Sequence, residues 1–273
     1  MKINIFVVTY KNESMLRDNL DSLLNSDIIH HNYSVTVVNN YTHSFGLTEY
    51  CLDNNINILH NTMRCDFSTG HLSRSWNQCL IHGFKSLQNP DCDIVVLAQD
   101  DNLFLENWCS YIIEKHKHYD FISMGGGDQF HSYKPNHLKL VGLWDERFCG
   151  IGYQEYDYFI RSFLYNRDRV SINDPKHGRV FCGIDNHIIV DEDRLIGGMR
   201  GDPRHLEAVI YHNISRSILR AKWGDSIDRL TRETGWKDEL EYLSTLSASK
   251  IPSFVYYPYF EKDIDLIGKN YFP

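Results

Sequence analysis

Hydrophobic positions along this chain follow two alternating rhythms. Runs dense in aliphatic and β-branched residues, Lys2 to Thr9 (KINIFVVT), Tyr33 to Val38 (YSVTVV), Ile56 to Leu59 and Ile94 to Ala98 (IVVLA), read as strands. Between them, Met15, Leu16, Leu20, Leu23 and Leu24 share one helical face. Leu72, Trp76, Cys79, Leu80, Phe84 and Leu87 keep the helical period over a longer stretch that Pro90 and Asp91 close. Strands alternating with crossovers of this length predict a doubly wound α/β half of about 120 residues.

Ile94 to Ala98 contains no polar residue, as expected of a strand covered on both faces, and runs straight into Gln99, Asp100, Asp101 and Asn102. In an open α/β sheet, ligands bind beyond the carboxyl ends of the strands. The loops after the first, second and fourth strands meet at that edge, which gathers Thr9, Tyr10 and Glu13 with Asn39, Asn40, Asp100 and Asp101. Neighbouring carboxylates repel unless a cation or hydrogen-bond donors compensate them. The plainer counterpart is a solvated turn held by an Asx motif.

Beyond Asn102 the rhythm changes. A helix around Trp108 to Lys115 and a strand from Phe121 to Met124 lead into the turn Gly125, Gly126, Gly127. Tyr156, Phe159, Ile160, Phe163 and Leu164 mark the apolar face of a helix that begins near Gln154. Glu155 therefore falls in its first turn, where the helix dipole favours a carboxylate. Asp157 and Arg161, four apart, can pair on the same helix, and Gly150 and Gly152 just ahead suit close approach of a substrate to backbone. Further on, the pattern predicts a short strand at Ile188 to Val190, a loop from Gly197 to His205, and a strand end at Val209 to Tyr211 leading to His212. Two amphipathic helices, Ile227 to Arg232 and Trp236 to Leu246, precede an aromatic end, FVYYPYF.

The chain has 273 residues, 42% of them hydrophobic and 13% aromatic, enough for a sizeable core in one large α/β domain or a domain with a C-terminal addition. No run approaches the ~18 apolar residues of a membrane span. The first strand begins without the basic start and apolar stretch of a signal peptide, so a soluble, cytoplasmic protein is expected. Seven scattered cysteines with no CxxC pair suggest neither a zinc cluster nor a disulfide framework. The formal net charge of −8 argues against a nucleic-acid or anionic-membrane binder, so any phosphate must be met locally. The first βα loop has no glycine and therefore no dinucleotide fingerprint or P-loop, which demotes a dehydrogenase or P-loop enzyme.

Taken in order, VVTYKNE, VVNN, SWNQCL, AQDDN, WDERF with QEYDYFIR, and YHN with KWG resemble the GT-A fold nucleotide-sugar glycosyltransferases, especially family 2, over most of Lys2 to Gly224. The resemblance implies a Rossmann-like α/β domain, a mixed central sheet flanked by helices, over residues 1–224. Its nucleotide-binding half would be 1–102 and its acceptor half 103–224, with a helical, aromatic extension over 225–273 packed on the same domain. AQDDN is similar to the family's DXD motif. Asp101 would then ligate Mn²⁺ or Mg²⁺ on the donor diphosphate, with Asp100 near the ribose. Asn39 stands where the family usually has an Asp that reads the base, Thr9, Tyr10 and Glu13 line the same pocket, and Arg64 would face the base. QEYD is similar to the family's ED-x-D motif, which puts Glu155 at the catalytic base with Asp157 and Arg161 behind it. His212 resembles a late histidine that in some relatives reaches the metal or diphosphate.

Two departures stand out: Gln99 replaces the first acid of a fuller DDD motif, and the usual Glu-Asp pair is here Gln154 and Glu155. The implied partners are a nucleotide-sugar donor, with UDP expected, and a glycan or glycoconjugate acceptor. The implied reaction is a metal-dependent transfer with inversion. Two other readings stay open, a nucleotidyltransferase that makes nucleotide sugars and a glycan-binding relative with a decayed site.

Overall fold

The computed structural model describes residues 1–41, 45–61, 72–124, 129–148, 153–165, 180–183, 188–190 and 205–224, together with Ile251 and Ser253. The first half alternates as expected. Strand β1 (Lys2–Thr9) is followed by α1 (Glu13–Leu24), β2 (Asn32–Asn39), α2 (Phe45–Asp53), β3 (Asn57–His60), α3 (Leu72–Phe84) and β4 (Ile94–Gln99). Then come β5 (Asn102–Phe104), α4 (Trp108–Lys115), β6 (Phe121–Met124), β7 (Phe130–Tyr133), α5 (Pro135–Val141) and α6 (Gln154–Tyr165). The last described elements are β8 (Val180–Gly183), β9 (Ile188–Val190) and α7 (His205–Trp223).

Among the described residues, seven strands form one sheet in the order β3-β2-β1-β4-β7-β6-β8, and β5 pairs with β9 in a small second sheet. The strands β1 to β4 run parallel, whereas β7 is antiparallel to both β4 and β6. The sheet is therefore mixed, in agreement with the fold class expected. Register aligns Thr9 with Asn39 and Val8 with Gln99, so the three strands end level and their loops open on the same edge.

Successive strand residues face opposite sides, and the two faces bury separate cores. Ile3, Ile5, Val7, Val35, Val37, Ile94 and Val96 pack with α1, α2 and α4. Phe6, Val8, Val38, Val95 and Leu97 pack with Trp76, Leu80 and Phe84 of α3 and with the aromatic residues of α6. A Cβ on Gly83 would lie 2.5 Å from Val95 Cγ2 and 3.0 Å from Phe6 Cε2, so glycine is what lets α3 lie this close to the sheet.

Two buried histidines, His131 and His137, lie among the aromatic rings of the second core, and a third, His116, is buried at the end of α4. His116 meets Tyr119 O and Ser132 Oγ, both at 2.9 Å, and His137 Nε2 lies 3.3 Å from Ser162 Oγ. Neither ring nitrogen of His131 has a hydrogen-bond partner among the described residues. Burial pulls His131 and His137 down to about 3 and His116 to about 4, so all three are neutral in the fold.

The structure departs from the sequence pattern in α7 and in elements that the pattern did not predict. The expected strand end at Val209 to Tyr211 lies inside α7, because a 19-residue helix that buries Leu219 and Trp223 overrides a local preference for strand. Gly224, at φ +92° with its N–H on Arg220 O at 2.7 Å, ends that helix in a left-handed cap. The strand β7 and the helices α2 and α5 were not predicted; α5 starts with Pro135 in its first turn, where the missing N–H costs nothing. The expected helices 227–232 and 236–246, the turn at Gly125 to Gly127, Gly150, Gly152 and residues 197–204 of the expected loop lie outside the described residues. Among the described residues, no helix is long and apolar enough to cross a membrane.

Candidate active site

Three strand ends supply the first part of the site. Thr9 Oγ1 donates to Asp100 Oδ2 at 2.6 Å, and Asn40 N–H donates to Thr9 O at 3.0 Å, tying the loops after β1, β2 and β4 together. The turn itself is braced by amides. Asn19 of α1 donates to Gln99 O at 3.2 Å and to Asn102 O at 2.8 Å, and Asn102 donates to Gln129 O at 2.6 Å. Asp101 is buried, and Asp100 keeps some exposed surface. Burial nevertheless pushes the Asp100 carboxyl up to about 7. The adjacent Asp101 charge adds to this, and hydrogen bonds from Thr9 and Asn12 offset only part of it.

Asn39 is buried at the end of β2. Its Oδ1 accepts the Tyr41 N–H at 2.8 Å in an Asx turn, and its Nδ2 lies 3.3 Å from His60 Nδ1. Tyr10 and Tyr41 meet edge to face at 5.9 Å, with the Lys11 ammonium 5.2 and 4.9 Å from their rings. Glu13, in the first turn of α1, pairs with Arg17 at 2.7 Å. Arg64 lies outside the described residues.

The second part of the site is the start of α6. Glu155 is buried in its first turn, next to Gln154. The expected pair forms behind it, with Arg161 Nε donating to Asp157 Oδ2 at 3.0 Å. It belongs to a larger buried network. Lys222 of α7 reaches Asp157 Oδ1 at 2.6 Å and Asp145 Oδ2 at 2.9 Å, the Trp223 indole N–H donates to Asp157 Oδ1 at 2.9 Å, and Arg147 pairs with Asp145 at 2.6 Å. Burial alone would raise the Asp145 carboxyl, but the Arg147 and Lys222 charges outweigh it and hold it at about 2. Asn77 of α3 closes the network from the sheet side. Its Nδ2 donates to Trp144 O and Glu146 Oε1 at 2.9 and 2.8 Å, and its Oδ1 accepts the Trp144 N–H at 2.7 Å.

His212 lies on the exposed side of α7, with its ring 4.6 Å from that of Tyr153, just before α6. The structure thus brings Thr9 and Asp100 into contact, places His212 beside the lead-in to Glu155, and turns Glu13 towards Arg17. Asn77, Asp145, Glu146, Lys222 and Trp223 were not singled out from the sequence. The available signal was charge and amide inside apolar segments, in WDERF, SWNQCL and KWG, since such residues are seldom buried without partners.

Among the described residues, no three His, Cys, Asp or Glu side chains converge as a ready-made metal cage. The Asp100 and Asp101 pair fits a different arrangement. A hard cation such as Mg²⁺ is commonly held by one or two carboxylates and completed by water and substrate phosphates. Burial first, and the neighbouring Asp101 charge after it, raise the Asp100 carboxyl.

No protein-family model and no curated protein matches the chain. Among solved structures it is similar to TarS from S. aureus, at 14% identity and a TM-score of 0.48, over 88% of this chain and 47% of that one. It is also similar to the mannosyltransferase PcManGT from Pyrobaculum calidifontis in complex with GDP-Man and Mn²⁺, at 11% and 0.49, over 89% of this chain and 79% of that one. A third is glucosyl-3-phosphoglycerate synthase from Mycobacterium tuberculosis in complex with Mn²⁺, UDP and glucosyl-3-phosphoglycerate, at 12% and 0.48, over 80% and 78%. At these identities the likeness is one of fold alone. The chain spans about half the length of the TarS chain.

Proposed function

We propose that this protein is a GT-A glycosyltransferase that moves a sugar from a nucleotide diphosphate sugar, UDP-linked, to a hydroxyl of a glycan or glycoconjugate, with Mn²⁺ or Mg²⁺ and with inversion. The observation that carries this reading is the carboxylate pair at the sheet edge where β1, β2 and β4 end together, Asp101 buried and Asp100 part-buried and raised to about 7. Such a pair suits a cation shared with a diphosphate. In this reading Asp101 holds the metal, Asp100 lies near the ribose, and Thr9, Tyr10, Glu13, Asn39 and Arg64 line the donor pocket. Residues 1–102 form the nucleotide half, 103–224 the acceptor half and 225–273 the extension.

The cation, when bound, neutralises the charge that develops on the departing nucleotide diphosphate. Asp101 would hold it at the carboxyl edge of β4 with Asp100 near the ribose, and His212 would reach the metal or the diphosphate from the side of α7. Glu155 takes the proton of the acceptor hydroxyl as that oxygen attacks the anomeric carbon. Its place in the first turn of α6, where the helix dipole favours the ionised carboxylate, suits a base. One base and one displacement invert the centre.

The test is incubation with a panel of UDP- and GDP-sugars, with and without Mn²⁺, followed by NMR of the sugar product at early times. Metal-dependent cleavage of an α-linked donor to a β product supports the assignment. A retained anomer contradicts the inverting mechanism, and pyrophosphate release from UTP would instead support a nucleotidyltransferase.

A further inference from the structure

We propose that Lys222 is a positioning residue that holds the first turn of α6, and with it Glu155, from the distant helix α7; the role of Glu155 rests on the reading above. The Lys222 side chain is 1% exposed. Burying an ammonium is costly unless each of its three N–H groups finds an acceptor. Here the ammonium donates to Asp145 Oδ2 at 2.9 Å and to Ser253 Oγ at 3.2 Å, and forms an ion pair with Asp157 Oδ1 at 2.6 Å. These acceptors belong to the segment before α6, to α6 itself and to a residue beyond α7. One ammonium therefore joins three parts of the chain that are far apart in sequence.

Asp157 is the link to the site. It lies in the same first turn as Glu155 and is fully buried, gripped by Lys222, by the Trp223 indole and by Arg161. Arg161 also donates to Val141 O at 2.9 Å, which fastens the next turn of α6 to the end of α5. Residues two apart on a helix project about 200° from each other. Fixing the Asp157 carboxylate on the α7 side therefore fixes the rotation of the turn that carries Glu155 on the other. The charged groups around Lys222 are Asp145 and Arg147 ahead of α6 and Asp157 and Arg161 on it, with Glu146 held separately by Asn77. Without Lys222 the two buried aspartates keep their arginines but lose the ammonium that ties them to α7.

A lysine also suits the geometry better than an arginine. Its three donors diverge from one atom towards three acceptors, whereas a guanidinium is a planar fork. Lys222→Arg keeps the charge but cannot meet Asp145, Asp157 and Ser253 from one point.

The test uses the full chain and compares wild type, Lys222→Met and Lys222→Arg by amide hydrogen exchange, by UDP titration with Mn²⁺, and by kcat and KM for the most rapidly cleaved donor of the panel. Both variants are expected to speed exchange over residues 154–158 by at least about tenfold, with exchange in β1 and β4 unchanged. UDP affinity and donor KM should stay within about twofold, while kcat falls by up to about 100-fold, as for a misplaced catalytic group. Unchanged exchange at 154–158 in a folded variant overturns the proposal. So does uniform acceleration throughout the chain, or failure of both variants to fold, either of which would show a general structural role. If wild type cleaves none of the donors, the transferase reading falls while the exchange comparison still decides the role of Lys222.

Discussion

The edge of the sheet and the start of α6 both take aspartates out of water, Asp100 in part and Asp145 almost wholly, and they compensate them by opposite means. At the sheet edge, Asp100 is met by a hydroxyl from Thr9 and an amide from Asn12, and its carboxyl rises to about 7. Behind α6, Asp145 is met by the charged groups of Arg147 and Lys222, and its carboxyl falls to about 2. Burial opposes ionisation in both places, so the difference is the cations supplied by the chain. The α6 network compensates its carboxylates internally, which is how a buried scaffold is built. At the sheet edge the hydrogen bonds from Thr9 and Asn12 offset only part of the cost of burying Asp100, which suits the proposed cation.

The largest expected effect lies where the two regions are meant to cooperate. Glu155→Gln keeps shape and hydrogen bonding but cannot accept a proton, so transfer should fall roughly 10²- to 10⁴-fold while UDP binding stays near normal. Near wild-type turnover would remove Glu155 from the mechanism and leave α6 as scaffold only.

Asp157→Asn breaks the ionic side of the comparison. It leaves Arg161 beside a neutral partner and Lys222 with Asp145 in place of two carboxylates, and loss of one member of a buried ion pair costs about 3 to 5 kcal/mol. Urea unfolding should show that loss, with little change in UDP affinity of the folded protein. A stability within about 1 kcal/mol of wild type would show that the network contributes little to the fold.

The three buried, neutral histidines set the acid limit. Their folded pKa values of about 3 to 4 lie below the ordinary value near 6.5, so the unfolded chain binds protons that the folded chain does not. Stability is therefore full above about pH 6.5 and falls as pH drops towards 4, with a slope approaching about 4 kcal/mol per pH unit for three protons. Unfolding midpoints measured between pH 7.5 and 5 check this. His131→Leu, which removes a ring with no hydrogen-bond partner among the described residues, should flatten the slope by one proton with little loss at pH 7.5.

A smaller effect sharpens the sheet-edge side. Thr9→Val removes the 2.6 Å hydrogen bond that favours the ionised form of Asp100. UDP affinity in the presence of Mn²⁺ should weaken by about 1 to 2 kcal/mol, and no change would show that Asp100 needs no help from Thr9.

The two regions also differed in how far the sequence disclosed them. At the sheet edge the necessary information was local. Strand and helix periods set the order of elements, that order brings the loops after β1, β2 and β4 to one side, and Asp100 follows at once. The pair Asp157 and Arg161 was equally visible, because four residues on a helix are one turn. Lys222 and Asp145 are 77 residues apart and Asn77 and Trp144 are 67 apart, so no local period relates them. β7 was hidden by its own composition. In FHSY, His131 and Ser132 are fully buried, and their polarity reads as surface until the aromatic core around them is known. Val209 to Tyr211 shows the converse, a short strand-like triplet absorbed into a long helix by tertiary packing.

The central claim is that the Asp100 and Asp101 edge is completed by a divalent cation shared with a diphosphate. Calorimetric titration of UDP into wild type and Asp101→Ala, each with Mn²⁺ and with EDTA, tests it most directly. Wild type should bind UDP more tightly with Mn²⁺, and Asp101→Ala should lose that increment while unfolding at the wild-type urea concentration. Equal wild-type affinity with Mn²⁺ and with EDTA, or an increment that survives in Asp101→Ala, would contradict it.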